Sequence, residues 1–94
     1  PILEEQPDRP LLLNLYGGAL LGLGRLEAAL PQLERAVELE PDYVPSRFNL
    51  AWCLYQLERH TEARTHVEHA LKVQPTHRGA QTLLEAIKDA TENE

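Results

Sequence analysis

Residues 41–74 read PDYVPSRFNLAWCLYQLERHTEARTHVEHALKVQ, and residues 7–40 read PDRPLLLNLYGGALLGLGRLEAALPQLERAVELE. Laid one over the other, the two stretches agree in size class at one position after another. Pro7, Pro41 and Pro75 stand 34 apart, and the same step carries Leu3 to Val37 to Leu71, Tyr16 to Leu50 to Leu84, and Leu20 to Leu54. It also carries Ala29 to Ala63, Leu33 to Val67 and Ala36 to Ala70. A fixed period of this length marks a repeat architecture, in which each unit buries its apolar face against the next.

Each period predicts two helices. Pro10 and Pro45 suit a first helical position, where the missing amide proton is not needed, so helices are expected over 10–23 and 45–57. Gly24 ends the first of these, and the matching break falls near 58–60, with Thr61 available as an N-cap. The second helices are expected over 26–39 and 62–73, because Glu40 and Gln74 each precede a proline and are pushed out of the helical region. A fifth helix follows over 78–90. Pro31 falls early in its helix, where it removes one of the first hydrogen bonds and predicts a slight bend rather than a break.

On these residues the chain resembles the tetratricopeptide repeat family, whose helix-turn-helix unit carries large, large, small, large, then Ala, large, Ala and Pro. In the first repeat the series is Leu13, Tyr16, Gly17, Leu20, Ala29, Leu33, Ala36 and Pro41. In the second it is Arg47, Leu50, Ala51, Leu54, Ala63, Val67, Ala70 and Pro75. Arg47 departs, standing where a large apolar residue is usual, which predicts a looser first contact; Ile2 departs from the Ala36 and Ala70 position. The resemblance implies an all-α, right-handed helix-turn-helix solenoid. Residues 1–9 would be the remnant of a preceding repeat, 10–43 and 44–77 two tetratricopeptide repeats, and 78–94 a capping helix and tail.

In this family the first helix of each repeat lines a concave groove, so the helix from Pro45 to Leu57 is the one to read for function. Leu50, Leu54 and Leu57 form one stripe, and Phe48, Trp52 and Tyr55 another, starting about 200° round the helix. The leucines hold the repeat-signature positions and are expected to face the core. That sends Phe48, Trp52 and Tyr55, with Asn49, towards the groove, where aromatic side chains give large contact area at low entropy cost. Asn14, Leu15 and Gly18 are expected to line it from the first repeat, and Leu83 and Ala86 from the last helix, with Gly18 leaving a slot beside the Trp52 ring. The alternative is that the aromatic stripe is core, since a helix apolar all round is usually buried.

The family's carboxylate clamp, which grips the acidic end of a chaperone tail, would place its lysine, asparagine and arginine side chains at Asn14, Gly18, Asn49, Gly79 and Leu83. Only Asn49 matches, and no cation is present for a carboxylate. The family's asparagine ladder is missing too, since Leu15 stands where Asn49 would have its counterpart. Glu62, His66 and His69 have a spacing that could offer ligands to zinc, but on an outer helix the plainer reading is a solvated face with one Glu-His pair.

Composition narrows the classes of partner. Fifteen acidic and nine basic residues give a net charge of -6, the wrong sign for gathering phosphates, so no nucleic acid partner is expected. The richest apolar run, 11–23, is interrupted by Asn14, Gly17, Gly18 and Gly22, so no membrane span is expected and the cytoplasm is the default compartment. Cys53, the single cysteine, allows no internal disulfide and reads as a small buried hydrophobe. There is no Gly-rich phosphate loop and no nucleophile-base pair, so neither catalysis nor a cofactor is expected.

The chain therefore reads as a protein-interaction module holding a peptide or helix of a partner in its groove. The alternative is a self-assembly or architectural segment of a longer enzyme or scaffold. Leu11, Leu12, Leu13, Leu15, Leu20, Leu21 and Leu23 give the first helix more apolar surface than its own repeat can cover, which predicts a homodimer through the N-terminal end.

Overall fold

The computed structural model describes residues 9–92, and among them every regular element is a helix. These are α1 (Pro10–Gly22), α2 (Leu26–Leu39), α3 (Val44–Gln56), α4 (His60–Val73) and α5 (Arg78–Glu92). Consecutive helices pack on one another, and α1, α3 and α5 also touch in turn. That is two helix-turn-helix units followed by a single further helix, extended over 48 × 26 × 18 Å. The reading of Pro1 to Asp8 lies outside the described residues.

The core is built from the positions that repeat in the sequence. Ala29, Leu33, Ala36, Ala51, Ala63, Val67 and Ala70 are fully shielded, and Leu50 and Leu54 nearly so. The small residues set how closely the helices approach. A methyl group on Gly17 would sit 2.7 Å from the Leu33 side chain, so α1 and α2 meet at this distance only because position 17 has none. The fifth helix has a single apolar stripe, Ala80, Leu83 and Ile87, and all three are buried. Cys53 is buried as expected, and its Sγ donates to the Leu26 carbonyl at 3.3 Å. Burial pushes its thiol pKa up.

The two α-α turns are copies. After α1, Gly24 takes φ +78°, its N–H donates to the Leu21 carbonyl at 3.0 Å, and the Arg25 N–H reaches the Leu20 carbonyl at 2.9 Å. After α3, Glu58 takes φ 62°, its N–H donates to the Tyr55 carbonyl at 3.0 Å, and the Arg59 N–H reaches the Leu54 carbonyl at 2.9 Å. This is the Schellman arrangement that satisfies the last helical carbonyls through a left-handed residue. With the turn fixed there, α4 begins at His60, and Arg59 stands at its N-cap without a side-chain hydrogen bond that caps the helix. Thr61 is thus inside the first turn and is not the N-cap that its side chain suggested; its carbonyl accepts from the Thr65 hydroxyl at 3.2 Å. α2 continues through Pro31.

Arg47 gives the second repeat a polar tie in place of an apolar contact. Its Nε donates to the Pro41 carbonyl at 2.7 Å, and a terminal nitrogen donates to His66 Nδ1 at 2.9 Å. One side chain thereby joins the inter-repeat turn to α4. Tyr16 shows the converse: it holds the same register position as the buried Leu50, yet it is 56% exposed. Leu50 is covered because α2 packs on α3, and among the described residues no helix stands in that relation to α1.

Candidate functional site

The groove lies along α1, α3 and α5, and a cleft of about 340 Å³ opens between the first two, lined by Gly18, Leu21, Gly22, Phe48, Asn49 and Trp52. None of these six residues carries a charge. α3 presents two apolar stripes: the leucines go to the core, and of the aromatic stripe Trp52 stays exposed while Phe48 and Tyr55 are partly buried against the core.

Each aromatic ring on that stripe is held by a neighbour. Trp52 is 39% exposed and stacks on Tyr55 with ring centroids 5.9 Å apart. Half-buried Tyr55 meets the ring of His60 nearly edge-on at 5.6 Å. Phe48 lies 5.0 Å from the His77 ring, and His77 Nδ1 accepts from the Ala80 N–H at 2.9 Å, satisfying a first-turn donor of α5. A methyl group on Gly79 would meet both Phe48 and His77 at 3.1 Å. The Phe48 ring therefore occupies the space into which a side chain at position 79, one of the clamp positions, would project.

Across the floor, the Asn49 side-chain nitrogen donates to the Asn14 side-chain oxygen at 3.0 Å. Asn14 is only 7% exposed, so it supports Asn49 from below rather than forming an open wall. The remaining expected residues divide. Gly18, Phe48, Asn49 and Trp52 come together at the cleft, Tyr55 stands behind Trp52, and Leu15 is 58% exposed but does not line the cleft.

Leu83 is a correction. It is 2% exposed and belongs to the core, because α5 turns its one apolar stripe inward. Leu21 and Gly22 were not expected at the site. The available signal was the four-residue step from Gly18 to Gly22, which puts both on one face of α1.

The three residues with a metal-like spacing are each committed elsewhere. Glu62 is bound by Arg59 through two hydrogen bonds of 2.9 and 2.8 Å, which lower its pKa. His66 is taken by Arg47, and His69 meets Asp42 at 2.7 Å. Among the described residues no group of three histidine, cysteine or acidic side chains is arranged to hold a metal. Nor is any described helix long and apolar enough to cross a membrane.

With this geometry in hand, the chain can be set beside known proteins. A family model described as tetratricopeptide repeat matches residues 20–87. A Dictyostelium discoideum protein described as "Protein STIP1 homolog" is 34% identical over 88 residues, covering 94% of this chain and 15% of its own length. A peroxisomal targeting signal receptor of Eremothecium gossypii is 32% identical over 71 residues, covering 76% of this chain and 12% of the receptor. The chain thus spans a small part of the relatives it matches.

Among solved structures, the first such repeat domain of Spaghetti (RPAP3), bound to the HSP90 peptide SRMEEVD, superposes with a TM-score of 0.91. It is 22% identical, and the match covers 96% of this chain and 71% of that one, which shows a shared fold. YrrB, described as having an unusual peptide-binding site, gives a TM-score of 0.86 at 28% identity, over 93% of this chain and 45% of its own.

Proposed function

The chain belongs to the tetratricopeptide repeat family, and from that premise we propose that it is a protein-interaction module whose groove takes an extended segment of a partner protein. The observation that carries this is the cleft itself. Gly18, Phe48, Asn49 and Trp52 converge on it from two helices, and Trp52, the exposed ring of its wall, is braced from behind by Tyr55 rather than buried. Side chains held in place before binding lose little freedom on binding, and buried aromatic anchors supply most of the energy of such contacts.

The Asn14–Asn49 pair favours an extended segment over a helix. Asn49 spends one amide proton on Asn14, and its oxygen accepts no hydrogen bond from another described residue. An extended chain offers free N–H and C=O groups to such an amide, whereas those of a helix are already paired. The module needs neither cofactor nor catalysis for this role. Capture from the lysate of the source cell tests it, comparing the chain with its Trp52→Ala form. A partner retained equally by both would overturn the groove as the binding site.

A second reading, self-association through the N-terminal end, is favoured by one observation. Leu11, Leu15 and Tyr16 along α1 and Leu23 at its C-cap are all exposed.

A further inference from the structure

Two glycines stand in α1 where the fold asks for neither. A methyl group on Gly18 would meet only the Asn49 nitrogen at an ordinary 3.5 Å, and one on Gly22 would meet nothing within 4 Å. Gly17 is the contrast, since Leu33 excludes any side chain there. Glycine weakens a helix relative to alanine, and at 18 and 22 no closer packing among the described residues offsets that loss. Both positions open on the same cleft, facing the Trp52 and Phe48 wall. Filling either with a side chain would narrow the cleft without disturbing the core.

Resting on the reading of the groove as a peptide site, we propose that the cleft between Gly18, Gly22 and Trp52 takes one large apolar side chain of the bound segment. The segment is an internal stretch of a partner with neutral or basic flanks, not an acidic carboxyl-terminal tail. Shape argues the first half: an uncharged cleft with a pre-set indole wall and a bare helix opposite offers contact to an apolar group and no counter-charge to an ionised one.

Charge argues the second half. Phe48 fills the space in front of Gly79, Leu83 is buried, and among the described residues no cation lines the cleft. The chain as a whole carries a net charge of -6, which repels an acidic tail and draws neutral or basic segments. The peptide SRMEEVD, with three acidic side chains, would find no cation among the described residues that line the cleft.

The test is selection of random short segments, displayed between fixed linkers so that neither end is free, on the whole chain and on three variants: Trp52→Ala, Gly18→Leu and Gly22→Leu. The expected result is enrichment of segments that share a large apolar residue without acidic neighbours. Their affinity should fall at least about tenfold in each leucine variant, the scale of closing an apolar pocket by a methylene or more. Gly18→Ala and Gly22→Ala, which fit without collision, should give a smaller loss in the same direction while retaining full helicity.

Enriched segments that are acidic, or glycine variants that bind as the natural chain does, would overturn the proposal while leaving the groove reading intact. If no segment distinguishes the natural chain from Trp52→Ala, the groove reading itself fails, and the proposal with it. Titration with free SRMEEVD, followed through the fluorescence of Trp52, the single tryptophan, is expected to give no saturable change. Saturable binding would overturn the charge argument.

Discussion

The Asn49 side chain donates to the side-chain oxygen of Asn14 at 3.0 Å, so the first helices of successive repeats are joined by an amide-amide bond beneath the groove. The two residues are 35 apart in sequence, and one of them is almost wholly buried. A lost partner therefore leaves a polar group with nothing to replace it.

Asn49→Ala is expected to lower stability by about 1–2 kcal/mol, the cost of leaving buried Asn14 unpaired, and Asn14→Ala by less, because Asn49 lines the open cleft and can turn to water. Because the two substitutions remove one shared bond, the double variant should cost less than the sum. A coupling of about 1 kcal/mol is expected from urea unfolding of the four proteins. Strict additivity would show that the bond contributes nothing.

Glu58 bears the second turn at φ 62°, a conformation in which a residue with a β-carbon is strained and glycine is not. Glu58→Gly is expected to raise stability by about 1 kcal/mol, and Gly24→Ala, at φ +78°, to lower it by about as much. Thermal unfolding checks both. A destabilised Glu58→Gly variant would mean that the carboxylate supports the turn in a way the geometry does not reveal.

The repeats were legible because their residues are fixed by packing. A position that must be small between two helices, such as Ala29 or Ala36, stays small one repeat on, in Ala63 and Ala70, and all four are buried. Glu58 was less legible, because a left-handed turn residue is recognised by being glycine and here it is not. Leu83 was misplaced for another reason. Transferring its groove position from Asn49 by the repeat step ignored the pattern of its own helix, where Ala80, Leu83 and Ile87 form the one apolar stripe. In the cleft, Trp52 was legible from the second stripe on α3, but Gly22 was read only as an interruption in an apolar run.

His66 makes stability depend on pH. Burial lowers its pKa from the usual 6.5, Arg47 lowers it further, Glu62 opposes and His69 adds to the lowering. The Arg47 guanidinium donates to Nδ1, so the bond needs a neutral imidazole. Glu34 and Glu38 of α2 line the adjoining cleft. A histidine whose folded pKa is depressed contributes stability that is complete above its unfolded value. That contribution is lost as pH falls through 6.5 towards the lower folded value. The urea midpoint is expected to fall between pH 7.5 and about 5.5, above the range where most carboxylates titrate. In His66→Gln, whose oxygen can still accept from Arg47, the fall should be shallower; an equal slope in both proteins would remove His66 from the cause.

The exposed face of α1 gives the last expectation. Tyr16 and Leu23 are 56% and 73% exposed, while their counterparts one repeat on, Leu50 and Leu57, are buried or packed against the core. Among the described residues nothing packs on the face of α1 that corresponds to the one by which α3 receives α2. With Leu11 and Leu15 beside it, this apolar surface is of the sort that identical chains cover by meeting across a two-fold axis. A dimer is expected in sedimentation equilibrium at micromolar concentrations. Tyr16→Glu or Leu23→Glu should weaken it by about tenfold or more, the scale of placing a charge at the centre of an apolar contact. Thr61→Glu, an acid at the exposed start of α4, should leave it unchanged. A strictly monomeric mass up to about a hundred micromolar, an affinity worth only some 5 kcal/mol, would mean that this face does not hold two copies together.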